Sequence, residues 1–186
     1  MKKIITSLTH FQYFYPYSVN IVGARSEEVL NFMACAWHTA LSFNPPLFGV
    51  LISKKRMTHK IISEAGEFTV NFLSADKAKL SARMGRISGY DLDKIEEFQV
   101  ELAPAKVIQS PVLADAYVNL ECKLIDTRVY GDHDLFVGEV LAVHEEENSF
   151  TSDGVLDNWK TQPLLYLGSD FYITTNPESL KHVVPD

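Results

Sequence analysis

The chain has 186 residues, of which 46% are hydrophobic and 22% are charged, a composition typical of one globular domain with a buried core. It carries 17 Lys and Arg against 24 Asp and Glu, for a formal net charge of -7. That balance argues against a nucleic-acid partner, because no broad basic surface is available. We therefore expect a single folded domain over residues 1–186.

The N-terminal stretch resembles a secretion signal only at its start. Lys2 and Lys3 precede apolar residues, but His10, Gln12 and Pro16 interrupt that run, and no small-residue cleavage site follows. No run reaches the roughly twenty apolar residues that a membrane span needs. The sequence thus predicts a cytoplasmic protein without a membrane partner.

The two cysteines, Cys35 and Cys122, lie far apart and lack the spacing of metal ligands. Neither a disulfide framework nor a zinc site is predicted from such a pair. We expect both to be reduced thiols and expect no metal.

Short apolar runs bounded by turn residues predict β-strands along most of the chain. These runs are residues 17–24, 30–37, 47–53, 67–74, 116–125 and 135–143. Gly23 to Glu28 is predicted as the hairpin turn between the first two strands, and Tyr130 to Asp134 as the turn between the last two. Hairpin connections favour an antiparallel sheet.

The clearest strand alternates apolar and polar side chains. One face carries Val118, Leu120, Cys122 and Leu124, and the other carries Tyr117, Asn119, Glu121 and Lys123. This period of two predicts a half-buried strand whose polar face meets solvent.

Helices are predicted at few positions. Thr58 is the expected N-cap of a helix that ends at Gly66, and Ser74 the expected N-cap of a second helix. A shorter helical turn is expected from Leu92 to Phe98. Many strands with scattered helices predict a closed or partly open β-barrel with attached helices.

A cluster of cations and hydroxyls marks the junction between a predicted strand and the first helix. Ser53, Lys54, Lys55, Arg56 and Thr58 follow one another there. The positive end of a helix and the planar Arg donor fork both suit a phosphate group. The residues alone leave open the alternative that the three cations form a solvated turn.

Several motifs follow one another in order from Asn31 onwards. An Asn, a run of small residues ending in Trp, a Ser before a Pro-Pro pair, an Arg-x-Thr motif and the strand GEFTVN are followed by SGYDLDKIEEF, LECKL, GDHDLFVGEV and PLLYLG. This succession, from about Tyr17 to Gly168, resembles the flavin reductase-like family of FMN-binding split barrels. The resemblance implies a mainly β fold, an antiparallel Greek-key split β-barrel with a few peripheral helices.

The resemblance also implies two groups of FMN-binding residues. The group along the flavin edge, which offers backbone N–H groups and small side chains, is Ala34, Cys35, Ala36 and Trp37, with Ser42 further along the chain. The group around the ribityl phosphate is Ser53, Arg56, Met57, Thr58 and Lys94. The commoner family pattern has Thr-Ala-Ser-Trp where this chain has Ala-Cys-Ala-Trp, so two hydroxyl donors are missing here.

The implied activity is an FMN-dependent oxidoreductase that passes electrons from NADH or NADPH to free flavin, a metal chelate or a redox protein. No G-x-G-x-x-G motif supports a Rossmann site. The resemblance implies that the nicotinamide lies across the exposed flavin face. His133 is the candidate catalytic residue at the wall of that cleft, unless it is only a hairpin residue. Two alternatives are an FMN-binding electron carrier with little nicotinamide activity and a flavin-free interaction module.

Aromatic residues crowd the N-terminal region, which is more apolar surface than a solvated tail carries. They are Phe11, Tyr13, Phe14, Tyr15 and Tyr17. Together with the family resemblance, this crowding predicts a homodimer.

Overall fold

The computed structural model describes residues 1–8, 13–27 and 29–184. The strands are β1 Tyr17–Ser18, β2 Asn20–Arg25, β3 Leu30–Cys35, β4 His38–Phe43, β5 Pro46–Ser53, β6 Glu67–Phe72, β7 Leu102–Ala103, β8 Val112–Leu113, β9 Val118–Tyr130, β10 His133–Glu145, β11 Leu165–Gly168 and β12 Phe171–Ile173. The helices are α1 Met57–Ala65, α2 Ala78–Arg86 and α3 Lys94–Phe98, with 3-10 turns at Ala75–Lys77 and Pro177–Ser179. Over these residues, no helix has the length and apolar character that crossing a bilayer requires.

Seven antiparallel strands form the main sheet, in the order β3-β2-β6-β9-β10-β5-β4. Side chains from six of these strands meet in one core, which includes Val22, Val50, Phe68 and Phe136. The Cys35 thiol at the end of β3 reaches the Leu51 carbonyl on β5, with an Sγ–O distance of 3.8 Å. The sheet therefore curls around a single interior, and the predicted antiparallel split barrel with few helices is confirmed.

A second core lies outside the barrel. Along β2, Val22 faces the interior while its neighbour Ile21 faces outward, as alternation in a strand requires. Ile21 packs there with Phe32 and with Met84 of α2. Both faces of β2 are thus buried, which fixes α2 against the barrel wall.

The first helix begins two residues earlier than predicted, at Met57. Arg56, in an extended conformation, occupies the N-cap position of α1 and gives no side-chain capping bond. The prediction of Thr58 as N-cap is wrong, because its side chain is buried inside the first turn and accepts a hydrogen bond from Asn31 Nδ2 at 2.7 Å. Gly66 is confirmed as the C-cap, with a left-handed φ of 69°.

The other helices follow the prediction in part. Ser74 precedes a 3-10 turn and gives its hydroxyl to Asp76 at 2.6 Å, without a capping bond, so α2 begins only at Ala78. The short helix α3 is confirmed. Its N-cap Asp93 accepts from the N–H groups of Ile95 and Glu96.

The predicted solvent face of β9 is buried. Asn119 is 5% exposed and Glu121 is fully buried, so the prediction of a half-buried strand is wrong at these positions. The segment 106–113 crosses this face, and the backbone of that segment bonds to both side chains. Polar residues are tolerated inside because their hydrogen bonds are satisfied.

Both predicted hairpin turns have different bounds in the structure. Gly23 lies inside β2, where a Cβ atom would approach Phe32 Cε1 to 2.2 Å, so this glycine serves close packing and not a turn. Glu28, the predicted end of that turn, lies outside the described residues. The second turn consists of Gly131 and Asp132, and His133 is already the first residue of β10. Strand β4 is not among the predicted strands.

Candidate functional site

The strand β5 and the helix α1 meet at a tight corner. β5 ends at Ser53, and the Arg56 N–H donates to the Ser53 carbonyl at 2.9 Å. The first N–H groups of a helix have no partner within it, and the first turn of α1 contains no acidic residue. The helix itself therefore supplies no acidic side chain in its first turn to neutralise its positive end.

A small cavity of about 10 Å³, lined by both polar and apolar side chains, lies at this corner. Its lining residues are Asn31, Met33, Arg56, Met57, Thr58, Met84, Ile87, Ser88, Gly89 and Lys94. The fold thus brings together Arg56, Met57, Thr58 and Lys94, which are adjacent in the sequence only in part. Sequence reasoning missed Asn31, Ser88 and Gly89, although each lies in a motif that carries the resemblance. We call this group the cradle.

Lys94 is the least expected member of the cradle, because lysine is seldom buried without a carboxylate. It is 3% exposed, and its Nζ donates to the Met84 carbonyl at 3.3 Å. Burial, with a further contribution from the nearby Arg56 guanidinium, lowers the pKa of the Lys94 ammonium to about 8. Over the described residues, neither cation forms an ion pair with an acidic side chain. Such a pair of cations favours an anion beside it.

Backbone and side-chain positions in the cradle are tightly constrained. Because Thr58 Oγ1 accepts from Asn31, its own hydroxyl proton is free to donate to another group. At Gly89, a Cβ atom would lie 2.4 Å from Asn31 Oδ1 and 2.8 Å from Met57 Sδ. The loop at residues 88–89 can close over Asn31 only because Gly89 has no side chain. The arrangement offers hydroxyl, guanidinium and ammonium donors to one small anion.

A larger cavity of about 470 Å³ lies on the other side of the corner. It is lined by Phe14, Tyr17, Ala36, Trp37, His38, Leu51, Tyr130, Asp132 and His133, and we call it the apolar cavity. Of the predicted site residues, it contains Ala36, Trp37 and His133. The rings of Trp37 and His133 lie 4.8 Å apart at an angle of 42°. Its flat walls suit a flat unsaturated ligand.

His133 lines the apolar cavity close to the β5–α1 corner. It pairs with Ser53 across the β10–β5 ladder, which places it beside the corner that forms the cradle. Its Nδ1 lies 2.8 Å from the Asp132 carboxylate. Because a carboxylate only accepts, Nδ1 carries the proton, and the hydrogen bond holds the pKa of Asp132 below its ordinary value.

The opposite face of β10 holds the α1 corner in place. Asp134 is buried and accepts from His59 Nε2 at 2.9 Å, while Lys54 Nζ lies 3.6 Å from its other oxygen. Of the three consecutive cations at the corner, Lys54 therefore forms an ion pair with a carboxylate. Arg56 lines the cradle, whereas Lys55 is exposed and lines neither cavity.

Two predicted flavin-edge residues point their side chains away from both cavities. The Cβ of Ala34 packs against Gly85 of α2. The Cys35 thiol lies in the barrel core and donates to the Trp37 carbonyl at 3.3 Å, and burial raises its pKa to about 12. Since β3 is a sheet edge, backbone groups along one side of it have no strand partner. The segment can therefore offer backbone donors but not a reactive thiol.

The remaining predicted residues are placed differently. Ser53 ends β5 between the two cavities, and Ser42 lies on β4 and lines neither of them. For metals, no group of three or more His, Cys, Asp or Glu within residues 1–8, 13–27 and 29–184 is arranged to hold an ion.

Comparison with known families agrees with this geometry. The flavin reductase like domain matches residues 12–175, so the chain belongs to the flavin reductase-like domain family. The protein FMN reductase (NADH) SmoA of Agrobacterium fabrum is 31% identical over 137 residues, which are 73% of this chain and 75% of that protein.

Two solved structures share the whole fold. The FMN-binding protein from Thermus thermophilus, crystallised with bound 1-cyclohex-2-enone, is 35% identical, with a TM-score of 0.87 over 98% of this chain and 99% of that chain. The flavoredoxin from Methanosarcina acetivorans is 31% identical, with a TM-score of 0.83 over 95% of this chain and 92% of that chain. The split barrel is therefore shared along nearly the full length.

Proposed function

We propose that residues 1–186 form one FMN-binding domain that passes electrons from NADH or NADPH to an acceptor. The observation that carries this proposal is the pair of cations in the cradle, Arg56 and Lys94, which face the positive end of α1 without an acidic partner among the described residues. Such a group fits a ribityl phosphate. The Thermus thermophilus and Methanosarcina acetivorans relatives support FMN as the ligand, and the NADH reductase of Agrobacterium fabrum supports the donor.

The chain's own residues bind and orient in this scheme. Arg56, Met57, Thr58 and Lys94 hold the phosphate, with Ser53 ending the strand beside them. The backbone from Ala34 to Trp37 follows the flavin edge, so that the ring borders the apolar cavity. Bound FMN supplies hydride transfer, while the apolar walls keep water from the reacting atoms. We propose the cytoplasm as the site of action.

The absorbance spectrum of the purified protein tests the proposal. We expect a yellow protein whose flavin band bleaches on anaerobic titration with NADH or NADPH. A colourless protein that does not take up added FMN would favour a flavin-free interaction module instead.

A second candidate function is an FMN-binding electron carrier that is reduced by a protein. The likeness to the flavoredoxin supports it. A carrier would hold FMN but oxidise NADH slowly in the steady state, both with and without added flavin. Fast oxidation of NADH would favour the reductase.

The acceptor of the reductase is a small molecule or a redox protein. The Thermus thermophilus relative binds 1-cyclohex-2-enone and, in another crystal, p-hydroxybenzaldehyde. We therefore include small unsaturated carbonyl compounds among the proposed acceptors, beside free flavin and metal chelates.

We predict a homodimer whose interface lies at the edge strand β4 and not at the N-terminal aromatic residues. Phe11 lies outside the described residues, and Tyr15 packs on Tyr166 of its own chain at 5.4 Å. The edge strand β4, however, carries Leu41 at 44% and Phe43 at 100% exposure. An edge strand with exposed large apolar side chains favours pairing with a second copy.

Light scattering checks this prediction. We expect a mass near twice 21.0 kDa, and we expect Phe43→Asp to shift the protein toward the monomer. A mass near 21.0 kDa across a wide concentration range would refute the dimer.

His133→Ala tests the nicotinamide cleft. We expect the variant to keep its FMN but to be reduced several-fold more slowly by NADH, because a contact with the hydride donor is lost and none with the phosphate. Stopped-flow bleaching of the bound flavin measures the rate. An unchanged rate across NADH concentrations would leave His133 as an ordinary strand residue.

The affinity for FMN is predicted to fall as pH rises. The pKa of Lys94 in the free protein is about 8, and only its charged form attracts the phosphate. Binding therefore weakens as the proton is lost, and we expect the dissociation constant to rise about tenfold between pH 7 and pH 9. Fluorescence titration with riboflavin, which has no phosphate, is the control and should show no such rise.

A further inference from the structure

The polar side chains that line the apolar cavity differ in how many of their hydrogen-bonding atoms already have a protein partner. The Tyr17 hydroxyl donates to the His38 carbonyl at 2.8 Å, and His38 Nε2 lies 2.8 Å from the Ser18 carbonyl. Among the described residues, His133 forms its hydrogen bond through Nδ1, to Asp132. Its Nε2 is the ring nitrogen that remains to meet a ligand, beside the ring of Trp37.

We propose that Asp132 and His133 form a proton-donating pair for an unsaturated carbonyl compound bound in the apolar cavity. This inference rests on the function proposed above and assigns a role within it. His133 is the catalytic residue, because its Nε2 contacts the carbonyl oxygen. Asp132 is a positioning residue, because its carboxylate accepts from Nδ1–H and so holds the ring in place with Nε2 toward the cavity.

The step balances in atoms and electrons. Reduction of a carbon–carbon double bond conjugated to a carbonyl needs one hydride and one proton. Bound FMN, once reduced by NADH or NADPH, would supply the hydride to the β carbon, and the π electrons would move onto the carbonyl oxygen. That oxygen takes the proton from His133 Nε2, and the resulting enol becomes the saturated carbonyl compound in water. His133, whose side chain is 25% exposed, regains its proton from solvent.

The charges around His133 support the donor role. Asp132 is the carboxylate bound to its ring. The positive charge of Lys55, at the β5–α1 corner, contributes to the lowered pKa of Asp132. Tyr130 lines the cavity from β9. Asp134, on the opposite face of β10, is bound to His59. Among the described residues, Asp132 is therefore the carboxylate in contact with the ring, and a neutral carbonyl ligand adds no charge.

Asp132→Asn separates this role from flavin binding and from the nicotinamide contact. The amide oxygen can still accept from Nδ1–H, so the ring keeps its place, but the negative charge is lost. Asp132 is highly exposed, and the fold does not depend on it. Asp153→Asn, in an exposed loop, is the matched control.

The first measurement uses flavin-free protein and trans-cinnamaldehyde as the probe. We expect the absorption band of the bound aldehyde to shift to the red in the native chain and in Asp153→Asn, because its oxygen accepts a strong hydrogen bond. The shift should be reduced in Asp132→Asn and absent in His133→Gln. Binding without a shift, or an equal shift in all four proteins, would overturn the proposal.

The second measurement uses the FMN-loaded protein with two acceptors. We expect Asp132→Asn to lose at least tenfold more rate with cinnamaldehyde than with ferricyanide, which takes electrons without a proton. Equal losses with both acceptors would overturn the proton-donor role. If the native chain bound no FMN, the proposed function would fail, and the band shift would still test the carbonyl contact.

Discussion

Replacing Arg56 with alanine is expected to weaken FMN binding by about 1.5 to 3 kcal/mol, which is the range for one hydrogen bond to a charged group. Arg56 lines the cradle, and its charge contributes to the lowered pKa of Lys94, so it lies close to the second cation. A planar guanidinium can also bind two phosphate oxygens at once. The alanine variant therefore loses both the positive charge and the two-oxygen contact with the phosphate.

Lys55→Ala is the matched control, because it removes a neighbouring positive charge. Lys55 is exposed and lines neither cavity, whereas the other neighbour, Lys54, is bound to Asp134. We expect its loss to change the dissociation constant of FMN by less than about threefold, as for a distant screened charge.

Calorimetric titration of flavin-free protein measures both variants. The loss in Arg56→Ala should appear with FMN and be small with riboflavin, which has no phosphate. Equal FMN dissociation constants in the two variants would show that the phosphate is held elsewhere.

Glu121→Ala is expected to destabilise the fold by on the order of 3 to 5 kcal/mol, because several donors lose their acceptor at about 1 to 3 kcal/mol each. The Glu121 carboxylate is fully buried and accepts from the N–H groups of Lys106, Val107 and Ile108, and from His144 Nε2. Alanine would leave these donors without an acceptor. Urea unfolding measures the loss.

The effect should depend on pH. Burial raises the pKa of Glu121, but the hydrogen bonds from His144 and the backbone together lower it by more than burial raises it. The pKa of Glu121 therefore lies below its ordinary value. A lowered pKa in the fold means that the carboxylate stabilises the protein above the unfolded pKa, and that this contribution is lost as pH falls through the folded one. The difference between native chain and variant should therefore shrink below about pH 4.

Glu147→Ala is the control for that variant, because Glu147 lies exposed in a loop. We expect a change within about 0.5 kcal/mol. A loss in Glu121→Ala no larger than this would mean that the segment from residue 106 to 108 is held by other contacts.

Part of the cradle is recognisable in the sequence. Arg56 and Thr58 stand in a short run of cations and hydroxyls at a strand–helix junction, which is a local pattern of the chain. Lys94 is identified through the family resemblance alone. Asn31, Ser88 and Gly89 escape sequence reasoning, since their roles depend on a loop that closes over Asn31.

Errors in the strands have a similar cause. The alternating pattern assigns Asn119 and Glu121 to solvent because polar residues normally face it, and nothing in their own strand shows that residues 106–113 cover them. Gly23 suggests a turn because glycine is common in turns. Here its missing Cβ accommodates Phe32 from the neighbouring strand.

By itself, the sequence determined the mainly β character, the positions of most strands and the family, because alternation and ordered motifs are local properties of the chain. Only the tertiary structure decided that the cradle and the apolar cavity lie on two sides of the β5–α1 corner. His133 pairs with Ser53 from another part of the chain, and Lys94 is buried beside Arg56. Burial and pKa depend on which distant segments exclude water from a group, so they follow from the folded barrel and not from any one stretch of residues.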